Sequence, residues 1–192
     1  MEKIPECASC KVKKCRKGHD CYNINDQVNI IYNDEEIISL HKASTAIEGR
    51  HYCTANRLYE TILFAKELNF KKIGLAFCIG LSSEAKEIES ILSKHFEVAS
   101  VCCKTCGINK KEYQLEQIKD DREEYMCNPA AQALLLNEVQ TELNIACGLC
   151  VGHDSIFYKL SDAPVTTLIV KDRVLAHNPT GAIYSQYIKR DL

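Results

Sequence analysis

The chain has no tryptophan, only two methionines and four prolines, and no apolar run of membrane-spanning length. Its first residues lack the apolar stretch of a secretory signal peptide. Basic and acidic residues nearly balance, 24 against 26, so no overall charge attracts nucleic acid or an anionic membrane. Gly-x-Gly-x-x-Gly and Walker motifs are also missing, which leaves nucleotide binding unsupported. These absences predict a cytoplasmic protein that does not act at a membrane.

Cysteine, in contrast, is abundant, with twelve residues. Hydrophobic residues make up 46% of the chain, so disulfides are not needed to replace a missing core. Disulfides do not persist in a reducing cytoplasm, where thiols clustered at two- to five-residue spacing are typical of metal ligands. A set of six disulfides is the alternative, but only for an exported protein.

The segment 1–23 differs in composition from the rest of the chain. It carries six basic residues, few apolar ones and four cysteines at Cys-x2-Cys-x4-Cys-x5-Cys spacing, namely Cys7, Cys10, Cys15 and Cys21. Such a segment cannot bury a core, so a bound ion is expected to hold it. His19 could replace one of these ligands. The basic residues could contact nucleic acid, but Tyr22 is the single aromatic platform, and a solvated basic surface is the simpler interpretation.

From about residue 24 the chain alternates between helical and strand patterns. Apolar runs predict strands at 72–78, 96–102, 143–147 and 164–170, and helical spacing predicts helices at 55–69, 82–92, 128–142 and 154–160. Residues 171–176 are expected to turn back as a hairpin edge. The alternation predicts an α/β domain over 24–192, with a mostly parallel sheet flanked by helices in a Rossmann- or flavodoxin-like three-layer arrangement.

Six further cysteines follow the predicted strands or precede a predicted helix. They are Cys78, Cys103, Cys106, Cys127, Cys147 and Cys150. Ligands of open parallel sheets bind beyond the carboxyl ends of the strands, so these thiols are expected to rim one edge. Taken singly, Cys53, Cys78 or Cys102 could instead be a small buried hydrophobe.

The identity of the metal stays open between zinc and iron–sulfur. Two Cys-x-x-Cys pairs can complete a four-thiolate zinc site, and the same ligands can hold a [4Fe–4S] cluster. The surplus of thiols from separate loops favours the cluster. The histidines are less informative: His51 and His153 lie near cysteines, and His177 precedes Asn-Pro, where a turn is the simpler interpretation.

Several stretches of the chain together carry a family resemblance. They are the opening four-cysteine segment, Phe77 to Leu81, Met126 to Pro129, Cys147 to Asp154 and Ala176 to Pro179. Over nearly its full length the chain resembles a family of uncharacterised, cysteine-rich predicted metal-binding proteins of anaerobic bacteria and archaea. The resemblance implies a cysteine-ligated metal and an anaerobic setting, but neither a substrate nor a mechanism.

Three functions are compatible with these features. The leading hypothesis is a metal-binding protein, with an iron–sulfur cluster rather than zinc, that transfers electrons to a partner protein or acts on a small molecule. The second is a thiol–disulfide oxidoreductase or sulfur carrier with a structural zinc. The third is a zinc-stabilised module that binds nucleic acid or a protein through its basic N-terminus.

Overall fold

A computed structural model describes residues 4–190 of the chain. The chain divides into two compact units after Arg50. Within the described residues, no helix is long and apolar enough to span a membrane. The cysteine-rich segment and the helices that follow it belong to the same unit. The predicted domain boundary at residue 23 stays a prediction.

The first unit contains short helical elements and a long helix. Its 3-10 helices are Cys7–Ser9 and Lys14–Lys17, and its α-helices are α1 (Asn25–Ile31) and α2 (Glu35–His51). The Asp34 carboxylate caps α2 by accepting hydrogen bonds from the amides of Glu36 and Ile37, each at 3.0 Å. A capping aspartate satisfies amides that the first helical turn leaves unpaired.

The second unit alternates helices and strands, as predicted. In chain order its elements are α3 (Arg57–Glu67), β1 (Lys72–Phe77), α4 (Ser82–Leu92), β2 (Glu97–Cys102), α5 (Pro129–Glu138), β3 (Leu143–Cys147), α6 (His153–Leu160), β4 (Val165–Ile169), α7 (Thr180–Tyr184) and α8 (Gln186–Lys189), with 3-10 helices at Ile79–Leu81 and Lys110–Tyr113. The four strands form one parallel sheet in the order β2-β1-β3-β4. The predicted mostly parallel sheet is thereby confirmed.

Helices cover both faces of this sheet. On one face Leu75 and Ile145 belong to a core cluster with residues of α3 and α4. On the other face their chain neighbours Ala76 and Ala146 pack with Phe157 and other residues of α5 and α6. Successive strand residues point to opposite faces, so a sheet covered on both sides needs continuous apolar strands. The predicted three-layer arrangement is confirmed.

The predicted hairpin edge after β4 is wrong. Residues 173–177 form turns instead of a strand. The Asp172 carboxylate accepts hydrogen bonds from the amides of Val174 and Leu175, at 3.0 and 2.8 Å. Ala176 and His177 then adopt positive φ angles of 49° and 63°, which a strand does not contain. The aspartate therefore folds this segment into a tight local turn.

Candidate thiol site at the sheet edge

The carboxyl ends of three strands lie side by side. Phe77, the last residue of β1, is in register with Cys102 of β2 and Cys147 of β3. The next residues are held by backbone hydrogen bonds: the Cys78 amide donates to the Cys147 carbonyl at 3.1 Å, and the Cys103 amide donates to the Phe77 carbonyl at 2.8 Å. Two cysteines that follow strands are therefore fixed close to this edge.

A small pocket opens at the same edge. Its lining residues are Cys78, Cys103, Cys127, Pro129, Gln132, Leu149, Cys150 and His153. The space not occupied by atoms is about 190 Å³. That space includes open solvent and leaves no enclosed room for a water molecule, so the site is a closely packed group of side chains.

Cys127 reaches the pocket because the local sequence starts a helix directly after it. The Asn128 side chain accepts a hydrogen bond from the Ala131 amide at 2.9 Å, and Pro129 occupies the first helical position of α5. Proline is favoured there because its missing amide and fixed φ suit the first turn. The predicted helix start at Asn128 is confirmed.

Cys103 and Cys127 form a hydrogen-bonded pair within the pocket. The hydrogen bond from Cys103 lowers the pKa of Cys127 to about 5, helped by the positive charges of Lys104 and His153 and opposed by burial. The same hydrogen bond, followed by burial, raises the pKa of Cys103 well above its usual range. The charges of Lys104 and His153 favour Cys127 as the thiolate of this pair. The Cys103 sulfur also accepts a hydrogen bond from the Ile79 amide at 3.3 Å.

Cys150 is paired with an arginine that the sequence analysis missed. The Arg173 guanidinium donates a hydrogen bond to the Cys150 sulfur at 3.0 Å. This hydrogen bond and the charges of Cys150, Cys78 and Cys127 raise the pKa of Arg173. The turn at Asp172 carries Arg173 to the site, and neither residue spacing nor composition indicates that contact.

The two Cys-x-x-Cys motifs of the second unit, at 103–106 and 147–150, each contribute one cysteine to the pocket, Cys103 and Cys150. Cys147 is fully buried and belongs to the core cluster on the α3 and α4 face, where burial above all raises its pKa to about 11. Cys106 is exposed and has a φ angle of 72°. Cys102 is half-buried, and its sulfur accepts a hydrogen bond from the Lys104 amide at 3.5 Å.

The N-terminal cysteines are all exposed in the first unit. Cys10 accepts a hydrogen bond from the Lys13 amide at 3.4 Å, and this and the Val12 amide lower the Cys10 pKa. The Cys7 sulfur lies 3.4 Å from the Tyr22 hydroxyl. No grouping of three or more Cys, His, Asp or Glu side chains within residues 4–190 is arranged to hold a metal ion. The predicted four-cysteine metal module stays a prediction.

The remaining singled-out residues lie in varied places. Cys53 is exposed with a φ angle of 58°, and the His51 ring lies 6.3 Å from that of Tyr59. His153 lines the pocket. The carboxylate of its neighbour Asp154 accepts hydrogen bonds from the Gly152 and Ser155 amides, at 3.0 and 2.8 Å. Asp154 therefore stabilises the turn before α6.

The His177 side chain also has a structural partner. Its Nδ1 atom accepts a hydrogen bond from the Asp172 amide at 3.1 Å. This contact belongs to the turn that carries Arg173, in agreement with the expected turn-forming role of His177.

Gln132 lines the pocket and is a further residue of the site that the sequence pattern did not indicate. Its amide nitrogen donates hydrogen bonds to the carbonyls of Phe77 and Val101, at 3.1 and 2.7 Å. These contacts link the ends of β1 and β2. Its position in the first turns of α5 gave no chemical signal by itself.

Comparisons with known proteins identify relatives of the chain. A family model described as "Protein of unknown function (DUF1847)" matches residues 15–168, a range that includes all four pocket cysteines. An uncharacterized protein of Methanocaldococcus jannaschii is 50% identical over 188 residues, which cover 97% of each chain. No solved structure matches.

Proposed function

This chain belongs to the DUF1847 family of proteins of unknown function, and from its pocket we propose that it is a cytoplasmic redox protein that works through cysteine-bound metal. The proposed ligands are Cys78, Cys103, Cys127 and Cys150, and the proposed cofactor is an iron–sulfur cluster, with zinc as the alternative. The N-terminal cysteines, Cys7, Cys10, Cys15 and Cys21, are proposed to bind a second metal. An electron-transfer partner or a small molecule is the expected reactant.

The convergence of four thiols on one small pocket is the observation that carries this proposal. The four cysteines come from three connections of the chain: Cys78 after β1, Cys103 and Cys127 from the two ends of the β2–α5 connection, and Cys150 between β3 and α6. A single buried cysteine is readily explained by packing, because cysteine behaves as a small hydrophobe. Packing alone gives no reason for four such residues at the edge where parallel sheets bind ligands.

The chemistry of this donor set fits an iron–sulfur cluster. Four thiolates are the usual ligands of such clusters, and they need not converge on a single point because each binds a different iron. A single zinc ion needs its four ligands at bond distance from one centre, which is a stricter geometric requirement than a cluster imposes. When bound, a cluster of this kind supplies one-electron transfer.

The surrounding residues are suited to tune such a site. The Ile79 amide donates to the Cys103 sulfur, and the Arg173 guanidinium donates to the Cys150 sulfur. Hydrogen bonds to cysteine sulfur, together with burial, set the reduction potential of a cluster. The positive charge of Arg173 also offsets part of the negative charge that several thiolates bring into one pocket.

A thiol–disulfide oxidoreductase is the second candidate, and the Cys103–Cys127 pair favours it. A thiolate that persists to about pH 5 beside a neutral thiol is the arrangement of a nucleophilic and a resolving cysteine. The Cys127 thiolate would attack a substrate disulfide and release one thiolate. Cys103, after losing its proton to solvent, would displace the second thiolate and form a Cys103–Cys127 disulfide.

Metal and sulfide analysis of protein purified without oxygen tests the proposal. About four iron atoms and four acid-labile sulfides per chain, with broad visible absorbance, are expected for one [4Fe–4S] cluster. One or two zinc ions with no colour would favour zinc at the pocket, at the N-terminal cysteines or at both. A metal-free pocket whose Cys103 and Cys127 form a disulfide on mild oxidation would instead favour the oxidoreductase.

A further inference from the structure

Lys171 holds a positive charge at the sheet edge without a partner. It lies two residues after β4 and directly before Asp172, whose carboxylate forms the turn that carries Arg173. The residue is half-buried. Its ammonium group makes no hydrogen bond and no ion pair with any of residues 4–190. Moving an ammonium group out of water is unfavourable unless negative charge lies near it, so this lysine indicates a negatively charged centre close by.

Two glycines make room for the Lys171 side chain beside the thiol site. A Cβ atom at Gly148, directly after β3, would lie 3.8 Å from Lys171 Cδ. A Cβ atom at Gly80, in the 3-10 helix after β1, would lie 3.3 Å from Lys171 Nζ and 3.9 Å from Cys78 Sγ. The lysine stem therefore crosses the end of β3, and its ammonium group reaches the connection that carries Cys78.

The charge of Lys171 acts on the thiols of this edge. Burial above all raises the pKa of Cys147 to about 11, and the positive charge of Lys171 opposes that rise. The neighbouring cation Arg173 has a sulfur partner of its own, because it donates a hydrogen bond to Cys150. Lys171 has no such partner, so its charge is available to the Cys78 side of the site.

We propose that Lys171 balances the negative charge of the metal–thiolate centre that the pocket cysteines form. This inference rests on the proposed function and deepens it by assigning a residue that sets metal affinity. Four thiols that bind a divalent ion as thiolates give a centre with a net charge of about −2, whereas metal-free thiols are largely neutral. The bound state is the more negative one, so a nearby ammonium group stabilises it.

Cobalt(II) binding to the full chain, reduced and freed of metal, tests this inference. Thiolate-bound cobalt absorbs in the near ultraviolet, and the part of the absorbance that Cys127→Ser removes belongs to the pocket. We expect Lys171→Met to weaken cobalt binding there about tenfold, because it removes the charge and keeps the length of the side chain. Lys171→Arg keeps the charge and should bind cobalt nearly as the wild type does. Glu84→Gln is the control of opposite charge, since Glu84 also acts on Cys147, and it should not weaken binding.

Gly80→Ala displaces the ammonium group without removing its charge. The added methyl group would meet Lys171 Nζ at 3.3 Å, and Gly80 has no positive φ angle that alanine would strain. We expect a smaller loss of cobalt affinity than in Lys171→Met, and no further loss when the two changes are combined. An additional loss in the combined variant would overturn the assignment of the Gly80 effect to Lys171.

The outcomes separate this inference from the proposed function. Wild-type cobalt affinity in Lys171→Met, or an equal loss in Lys171→Met and Lys171→Arg, would overturn the role of the charge and leave the metal site in place. A wild-type chain whose pocket cysteines bind no cobalt would overturn both. Circular dichroism of each variant checks that the α/β unit is folded.

Discussion

Arg173 donates a hydrogen bond to the Cys150 sulfur at 3.0 Å, and it thereby brings the turn after β4 to the thiol pocket. Because the Arg173 guanidinium is positively charged, this hydrogen bond is charge-assisted, and the charge also attracts any ionised thiol of the pocket. The Asp172 and His177 hydrogen bonds stabilise the turn that presents Arg173. The turn after β4 therefore contributes to the thiol site although it contains no cysteine.

Replacing Arg173 is expected to weaken metal retention. Residues that hydrogen-bond to metal ligands typically change metal affinity by about 10- to 100-fold, and Arg173→Ala should fall in that range. Competition with a chelator measures it, and Arg173→Lys should be intermediate because it keeps the charge but not the planar donor group. Arg122→Ala is the control, because Arg122 pairs with Glu124 outside the pocket lining. Unchanged retention in Arg173→Ala would contradict the proposed role.

In the metal-free, reduced protein, we expect alkylation of Cys127 to have an unusually low pH midpoint. Because its folded pKa is lowered to about 5, the thiolate is present above pH 5 and is lost as the pH falls through that value. In unfolded protein the thiolate is lost already below the ordinary thiol pKa of about 8.5. Peptide-resolved alkylation with iodoacetamide measures both profiles, and exposed Cys53 is the internal control.

The pH midpoint of Cys127 alkylation is expected to depend on the hydrogen bond that the Cys103 thiol donates to Cys127. Cys103→Ala removes the hydrogen bond and is expected to move the Cys127 midpoint upward, whereas Cys103→Ser keeps a donor and should move it less. An identical midpoint in the wild type and both variants would show that Cys103 does not stabilise the thiolate.

Gly148 is expected to be intolerant of substitution. Its φ angle is +66°, and an added Cβ would overlap the Leu81 side chain. The left-handed backbone alone costs a residue with a side chain about 1–2 kcal/mol, so Gly148→Ala should destabilise the fold by at least that amount. Urea denaturation measures the change. Gly49→Ala is the matched control, since Gly49 lies within α2 with open space around it and should gain up to about 1 kcal/mol.

Deleting residues 1–23 is expected to leave the α/β unit folded. Both core clusters and the side chains packed against them lie between Leu58 and Ile169, so the deletion removes none of these residues. Circular dichroism and thermal denaturation check the fold, and metal analysis should show only the loss of the N-terminal metal. Collapse of the truncated chain would show instead that the α/β unit depends on the cysteine-rich segment.

The α/β fold was predictable because its two central strands are mainly apolar runs and α3, α4 and α6 have helical periodicity. The position of Cys127 was predictable for a similar local reason, the Asn128–Pro129 helix start. The burial of Cys147 also had a signal: residues two apart in a strand share a face, which places Cys147 with the core residue Ile145.

The rest of the pocket depends on tertiary contacts. The Arg173 contact arises only because the turn after β4 folds back, and the Gln132 contacts arise only because α5 lies over two strand ends. Nothing in the local sequence distinguishes Cys103 from Cys106, since the positive φ angle of Cys106 is set by the loop.

Iron and acid-labile sulfide, measured in two cysteine variants purified without oxygen, test whether the pocket cysteines bind metal. Cys127 lines the pocket and Cys106 does not, although both were predicted metal ligands. We expect Cys127→Ser to lose the iron and sulfide of the pocket and Cys106→Ser to keep the wild-type content. Equal loss in both variants, or full retention in Cys127→Ser, would contradict a metal site formed by the pocket cysteines.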